Sequence, residues 1–171
     1  MKNLLFLSFL ILAACSKKNE YNLSASSDIP DGEMVYLVQY KENIPVLKDS
    51  INVLGGNFSF SDSIVVPEMY YLFFKNIRGN IPVVLEPGSI EMTVYKDSLR
   101  STSIKWTKSN DDFKQYIDES SPFINALNST QNEINYNIAI NDSLIKLDLE
   151  EQFIDMRKKL TDYEYDFMSS K

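Results

Sequence analysis

The chain has 171 residues, with 24 Asp and Glu against 17 Lys and Arg for a formal net charge of −7, no histidine and a single cysteine, Cys15. That length suits one domain with its own core, and the acidic balance opposes binding to nucleic-acid phosphates. Without histidine there is no Ser-His-Asp or Cys-His machinery and no imidazole zinc ligand. Without a second cysteine there is neither a disulfide nor a Cys-x-x-Cys pair.

At the N-terminus Lys2 precedes an apolar run from Leu4 to Leu12 that ends in Ala13-Ala14-Cys15. A short positive region, an apolar stretch and small residues make up the layout of a secretory signal. The eleven apolar residues would cover about 16 Å as a helix, too little for a hydrocarbon core of about 30 Å. Leu12-Ala13-Ala14-Cys15 resembles the lipobox of bacterial lipoproteins. The resemblance implies cleavage before Cys15 and diacylglycerol on its sulfur, so that residues 1–14 are a signal peptide and 15–20 a polar tether. The competing reading is an ordinary signal whose cysteine falls at the cut by chance. Two acyl chains hold a protein stably on a membrane where one does so marginally. The expected location is therefore the cell envelope, lipid-anchored to a bacterial membrane, the outer membrane being the first choice and its periplasmic or surface side left open.

From Tyr21 to Thr107 apolar residues recur with a period near two, broken by turn signals about every ten residues. Tyr21, Leu23 and Ala25 alternate with polar neighbours, Pro30-Asp31-Gly32 supplies a turn, and Met34 to Tyr40 form a strand, together predicting a hairpin. Ile44 to Leu54 then meets Gly55-Gly56 and Asn57-Phe58-Ser59-Phe60-Ser61, the best local hairpin signal in the chain. Ile64 to Phe74 reads as a long strand with a bulge near Pro67. Ile81 to Glu86, Pro87-Gly88 and Ser89 to Tyr95 read as another hairpin, with Ile90, Met92 and Val94 inward and Glu91 and Thr93 outward. Ile104 and Trp106 close the β region.

At Asn110 the period changes, and Asn110-Asp111-Asp112 offers a cap and N-terminal carboxylates for a helix carrying Phe113, Tyr116 and Ile117. Pro122 either kinks that helix or opens a new one. After Asn141-Asp142, residues Ile145, Leu149, Phe153, Met156, Leu160, Tyr163 and Phe167 step along one helical face. Such a stripe is read first as a face buried against its own domain and second as a surface for a partner helix. The predicted fold is mainly β: an antiparallel sandwich or barrel-like domain over 21–107, followed by a helical C-terminal segment of two or three helices over 108–171.

Three stretches carry a family resemblance by their order and spacing: Asp31 to Leu37, Asp49-Ser50-Ile51 through Gly56 to Phe60 and on to Pro67, and Leu85 to Ile90. They resemble the DUF4369 domain of Bacteroidetes-type lipoproteins, a β-rich module commonly found in front of a thioredoxin-like domain. The resemblance covers 21–107, and the helical tail is similar to the family's linker helices. No thioredoxin-like domain or Cys-x-x-Cys follows in this sequence, so oxidoreductase activity is not carried over.

Four Asp-Ser-Ile or Asp-Ser-Leu triplets begin at Asp49, Asp62, Asp97 and Asp142 and resemble an envelope O-glycosylation acceptor motif, which marks Ser50, Ser63, Ser98 and Ser143 as possible acceptors. Asp-Ser pairs also form turns and helix starts. Asn128-Ser129-Thr130 matches the N-glycosylation triplet and is read as a polar loop. Asp111-Asp112 and Glu150-Glu151 could be named as candidate carboxylate pairs, but adjacent residues on one solvated helix do not face each other across a cleft. No catalytic residue, cofactor or metal ligand is expected. The expected function is a non-catalytic, membrane-anchored binding or accessory lipoprotein whose partner is an envelope protein or glycan and not nucleic acid, engaged through the β domain or its Tyr70-Tyr71-Leu72-Phe73-Phe74 segment. The alternatives are a docking module derived from a thiol-disulfide oxidoreductase and, behind it, a hydrolase.

Overall fold

The computed structural model describes residues 19–105, 107–139 and 143–171. The predicted signal, Cys15, Trp106 and Asn141-Asp142 lie outside the described residues. Eight strands, β1 (Glu20–Ser27), β2 (Met34–Lys41), β3 (Ile44–Asn52), β4 (Asn57–Ser63), β5 (Glu68–Phe74), β6 (Ile77–Leu85), β7 (Gly88–Val94) and β8 (Ser103–Lys105), precede two helices, α1 (Lys108–Ala139) and α2 (Ser143–Ser169). One sheet has the order β4-β1-β7-β8 and the other β3-β2-β5-β6. All pairs are antiparallel except β1 with β7. The fold is thus the expected β-sandwich with a helical tail.

Period-two alternation builds the core from both sheets. Leu23, Phe60, Ile90 and Val94 meet Val35, Leu37, Leu72, Val83 and Leu85, all essentially sealed from solvent. As predicted, Ile90, Met92 and Val94 point inward, while Glu91 is exposed and Thr93 half-buried. In the aromatic segment Tyr70, Leu72 and Phe74 face the core and Tyr71 and Phe73 face out. Burial pushes the Tyr21 and Tyr70 phenols up to about 12, with nearby carboxylates adding to the effect.

Three predicted hairpins are instead corners between sheets. The Pro30-Asp31-Gly32 turn carries the chain from β1 in one sheet to β2 in the other, Gly55-Gly56 links β3 to β4 across the sheets, and Pro87-Gly88 links β6 to β7 likewise. The two-residue turn at Gly55-Gly56 does form, with Leu54 and Asn57 exchanging both backbone bonds, but the ladder stops there. The reason is that neighbouring corners hydrogen-bond each other. Ser27 donates its backbone N–H to Gly56 O at 2.7 Å, Gly56 N–H reaches Asp31 Oδ1 at 3.1 Å, and Gly32 N–H reaches Val53 O at 2.9 Å. Gly56 has φ of +71°, and a Cβ there would stand 2.7 Å from Ser27 O. The true hairpins are β2–β3, β5–β6 and β7–β8. The first turns through Glu42 and Asn43, both at positive φ. No bulge forms at Pro67, which sits just before β5 where no ladder bond is required. The register shifts are at Leu37/Val38 and Phe73/Phe74 instead.

The two helices form an antiparallel hairpin. Tyr116 stacks on Tyr163 at 6.4 Å and Tyr163 on Phe123 at 6.0 Å, while the Tyr116 hydroxyl donates to Glu164 and that of Tyr163 to Glu119. Lys171 closes the pair at 2.9 Å from Asp112. Of the seven-residue stripe on α2, only Leu149 is fully buried. Phe153, Met156, Leu160, Tyr163 and Phe167 are half-covered by α1, so the stripe is the seam of a two-helix hairpin and not a face sealed by the sandwich. α1 runs unbroken through Pro122, and the Ser121 hydroxyl donates to Ile117 O beside it. Asn128-Ser129-Thr130 lies inside α1 and not in a loop, with Thr130 buried, because the α2-facing pattern of the helix continues through it. No described helix is long and apolar enough to cross a membrane.

Candidate functional site

The sandwich and the helical hairpin join at the free edge of β6. Asn110, expected as a helix cap, is 4% exposed and turned toward that edge. Its Oδ1 accepts the Val84 backbone N–H at 2.8 Å, and its Nδ2 donates to Val84 O at 2.8 Å and to the Thr107 hydroxyl at 2.6 Å. The carboxamide does for Val84 what a neighbouring strand would do, and it closes this point of an otherwise open edge. One residue earlier, Ser109 donates its backbone N–H and its hydroxyl to the two oxygens of Glu86.

From that junction α1 runs back along β6, and a groove of about 900 Å³ opens between them. Pro82, Leu99, Ile104, Phe113 and Ile117 supply an apolar floor. Arg78, Lys96, Arg100 and Lys114 bring four basic side chains to it against two carboxylates, Asp97 and Asp118. Lys114 is held by Asp118 at 2.6 Å. Arg78 and Arg100 are exposed and make no ion pair or side-chain hydrogen bond among the described residues. They are two of the chain's three arginines. An apolar floor rimmed by guanidinium groups is suited to an anionic ligand with apolar parts, because the planar fork accepts a carboxylate through two parallel bonds.

Sequence reasoning did not reach this groove, since its basic residues are scattered over 78–114 and only the packing of α1 on β6 gathers them. The four triplet serines do not converge on it as a set. Ser50 and Ser63 are exposed on β3 and β4, each with its N–H on the preceding aspartate at 2.7 Å. Ser98 lines the groove rim and shares its hydroxyl with Ser101 at 2.6 Å. Ser143 opens α2, and its side chain lies outside the described residues. Asp112 is engaged by Lys108 and Lys171, whose hydrogen bonds hold its carboxyl below the usual range. Glu150 meets Lys146 at 3.5 Å. Among the described residues no group of three or more His, Cys, Asp or Glu side chains converges as a metal site would.

The profile of a domain of unknown function, DUF4369, matches residues 21–113. The chain belongs to the DUF4369 family. The matched span runs from β1 through the first turn and a half of α1, so this DUF4369 domain includes Asn110 and its seat on β6. The rest of the helical hairpin lies beyond the match. No curated protein and no solved structure matches the chain.

Proposed function

We propose that this DUF4369 protein is a non-catalytic envelope lipoprotein, anchored through lipid on Cys15, that binds a partner in the groove between β6 and α1. The observation that carries the binding role is the pair of arginines, without an ion pair among the described residues, above an apolar floor in a chain whose net charge is −7. They rim a concavity between the two parts of the fold.

The position of the start of β1 fits the same reading. β1 begins beside the start of β7, and α1 begins beside the end of β6, which runs into β7 through Pro87. The start of β1, which follows the proposed anchor in sequence, and the root of α1 therefore share one end of the sandwich. α1, about 48 Å long at 1.5 Å per residue, leads away from the membrane, and the groove opens along its first turns.

Two measurements test the two halves. In cells fed a radioactive fatty acid, the native chain takes up label and Cys15→Ser does not. Label on Cys15→Ser refutes the anchor. For binding, partners recovered from native membranes with the native chain are lost from the double variant Arg78→Glu, Arg100→Glu. An identical set from both proteins refutes the groove as the binding site.

A further inference from the structure

The edge of β6 states in more detail what the groove accepts. Val84 directs its N–H and C=O away from β5, because both are bonded to Asn110. In an antiparallel ladder alternate residues share that direction, and Pro82 and Asn80, opposite Tyr71 and Phe73, are the next two in phase. Their outward groups are the Asn80 N–H and the two carbonyls, and they line the groove with no hydrogen-bond partner among the described residues. Pro82 lacks an N–H where the ladder with β5 requires none. The open edge is therefore short, one donor and two acceptors. It continues the row whose first member already takes an amide from Asn110.

We propose that the groove takes an extended acidic peptide, which adds as a short strand to β6 at Asn80–Pro82 and sets carboxylates against Arg78 and Arg100. The inference rests on the reading of the groove as a binding site and names its occupant. An extended peptide turns alternate side chains to opposite sides. One set meets the floor of Leu99, Phe113 and Ile117, and the other meets the guanidinium rim. Main-chain bonds then supply affinity, and side-chain pockets supply selectivity. Elsewhere on an acidic surface such a peptide is repelled, so the charge of the rim directs it to this groove.

The test uses the full chain in detergent and a fluorescein-labelled hexapeptide alternating leucine and glutamate, followed by anisotropy. Saturable binding is expected. A loss of at least tenfold is expected for Arg78→Glu, Arg100→Glu, whose folding is checked by circular dichroism, and for the leucine–lysine peptide. Of two peptides N-methylated at alternate positions, the one stripped of the N–H groups facing Asn80 and Pro82 loses at least tenfold and the other does not. Equal binding of both methylated peptides overturns strand addition. Saturable binding of oleate that the double charge reversal abolishes, with no peptide binding, overturns the peptide and leaves the groove as a site for anionic lipid. Binding of neither probe overturns the acidic peptide and also removes support for the groove. Peptide binding unaffected by the double variant overturns the location.

Discussion

Asn110→Ala is the sharpest test of how the two parts of this fold are joined. The substitution leaves the Val84 N–H and C=O and the Thr107 hydroxyl without the partner they now hold at 2.6–2.8 Å. A hydrogen bond contributes about 1 kcal/mol net, and a fully buried orphan group costs about 1–3 kcal/mol. Val84 is half-buried, so water relieves part of the penalty, and the expected loss is about 2–3 kcal/mol. Against a total stability of about 5–15 kcal/mol, and at about 2–4 °C per kcal/mol for a domain of this size, the melting temperature falls by about 4–12 °C. Asn110→Asp is more severe, because a buried carboxylate still accepts the Val84 N–H but faces the Val84 carbonyl with no donor. Thermal unfolding by circular dichroism gives the shift, and hydrogen exchange at the Val84 amide locates it. A melting temperature unchanged within 1 °C, with that amide still protected, would refute the account of Asn110 as the clasp between sandwich and helix.

Gly56→Ala should destabilise the domain by about 1–3 kcal/mol, the cost of a strained left-handed residue, plus the shift needed to clear Ser27 O at 2.7 Å. Denaturant titration measures it, and a neutral result would mean the corner is not held against β1. Tyr163→Phe removes the bond to Glu119 but keeps the ring stack. It should loosen the helical hairpin slightly, the bond being exposed to solvent, and speed amide exchange in α2 while leaving the strands unaffected. Tyr21 and Tyr70, with phenols pushed up to about 12, are favoured neutral in the folded state. Their contribution is complete below pH 10, the unfolded value, and is lost as pH rises from 10 through 12. Stability should therefore fall in that window, and less steeply in Tyr70→Phe. A stability profile flat from pH 10 to 12 would contradict their burial.

Much of this molecule is written locally. Alternation marked β1 and β7 and the inward residues Leu23, Ile90, Met92 and Val94, because period two is a property of the strand itself. The stripe from Ile145 to Phe167 marked α2 for the same kind of reason. Glycine pairs and Pro-Gly steps marked where the chain reverses. They could not say into which sheet it reverses, since a tight turn has the same residues whether its arms pair with each other or part company. At Gly55-Gly56 the choice is made by Ser27 and Asp31, more than twenty residues away, whose hydrogen bonds hold the turn as a corner. Asn110 is the converse case. Its sequence context is that of a cap, and only the approach of α1 to an unpaired strand edge made Val84 its partner. The groove belongs wholly to that second class: Arg78, Arg100 and Phe113 carry no motif, and they become one surface because a helix that could not pair with β6 along its whole length was fastened to it at one point and left the rest of the edge open.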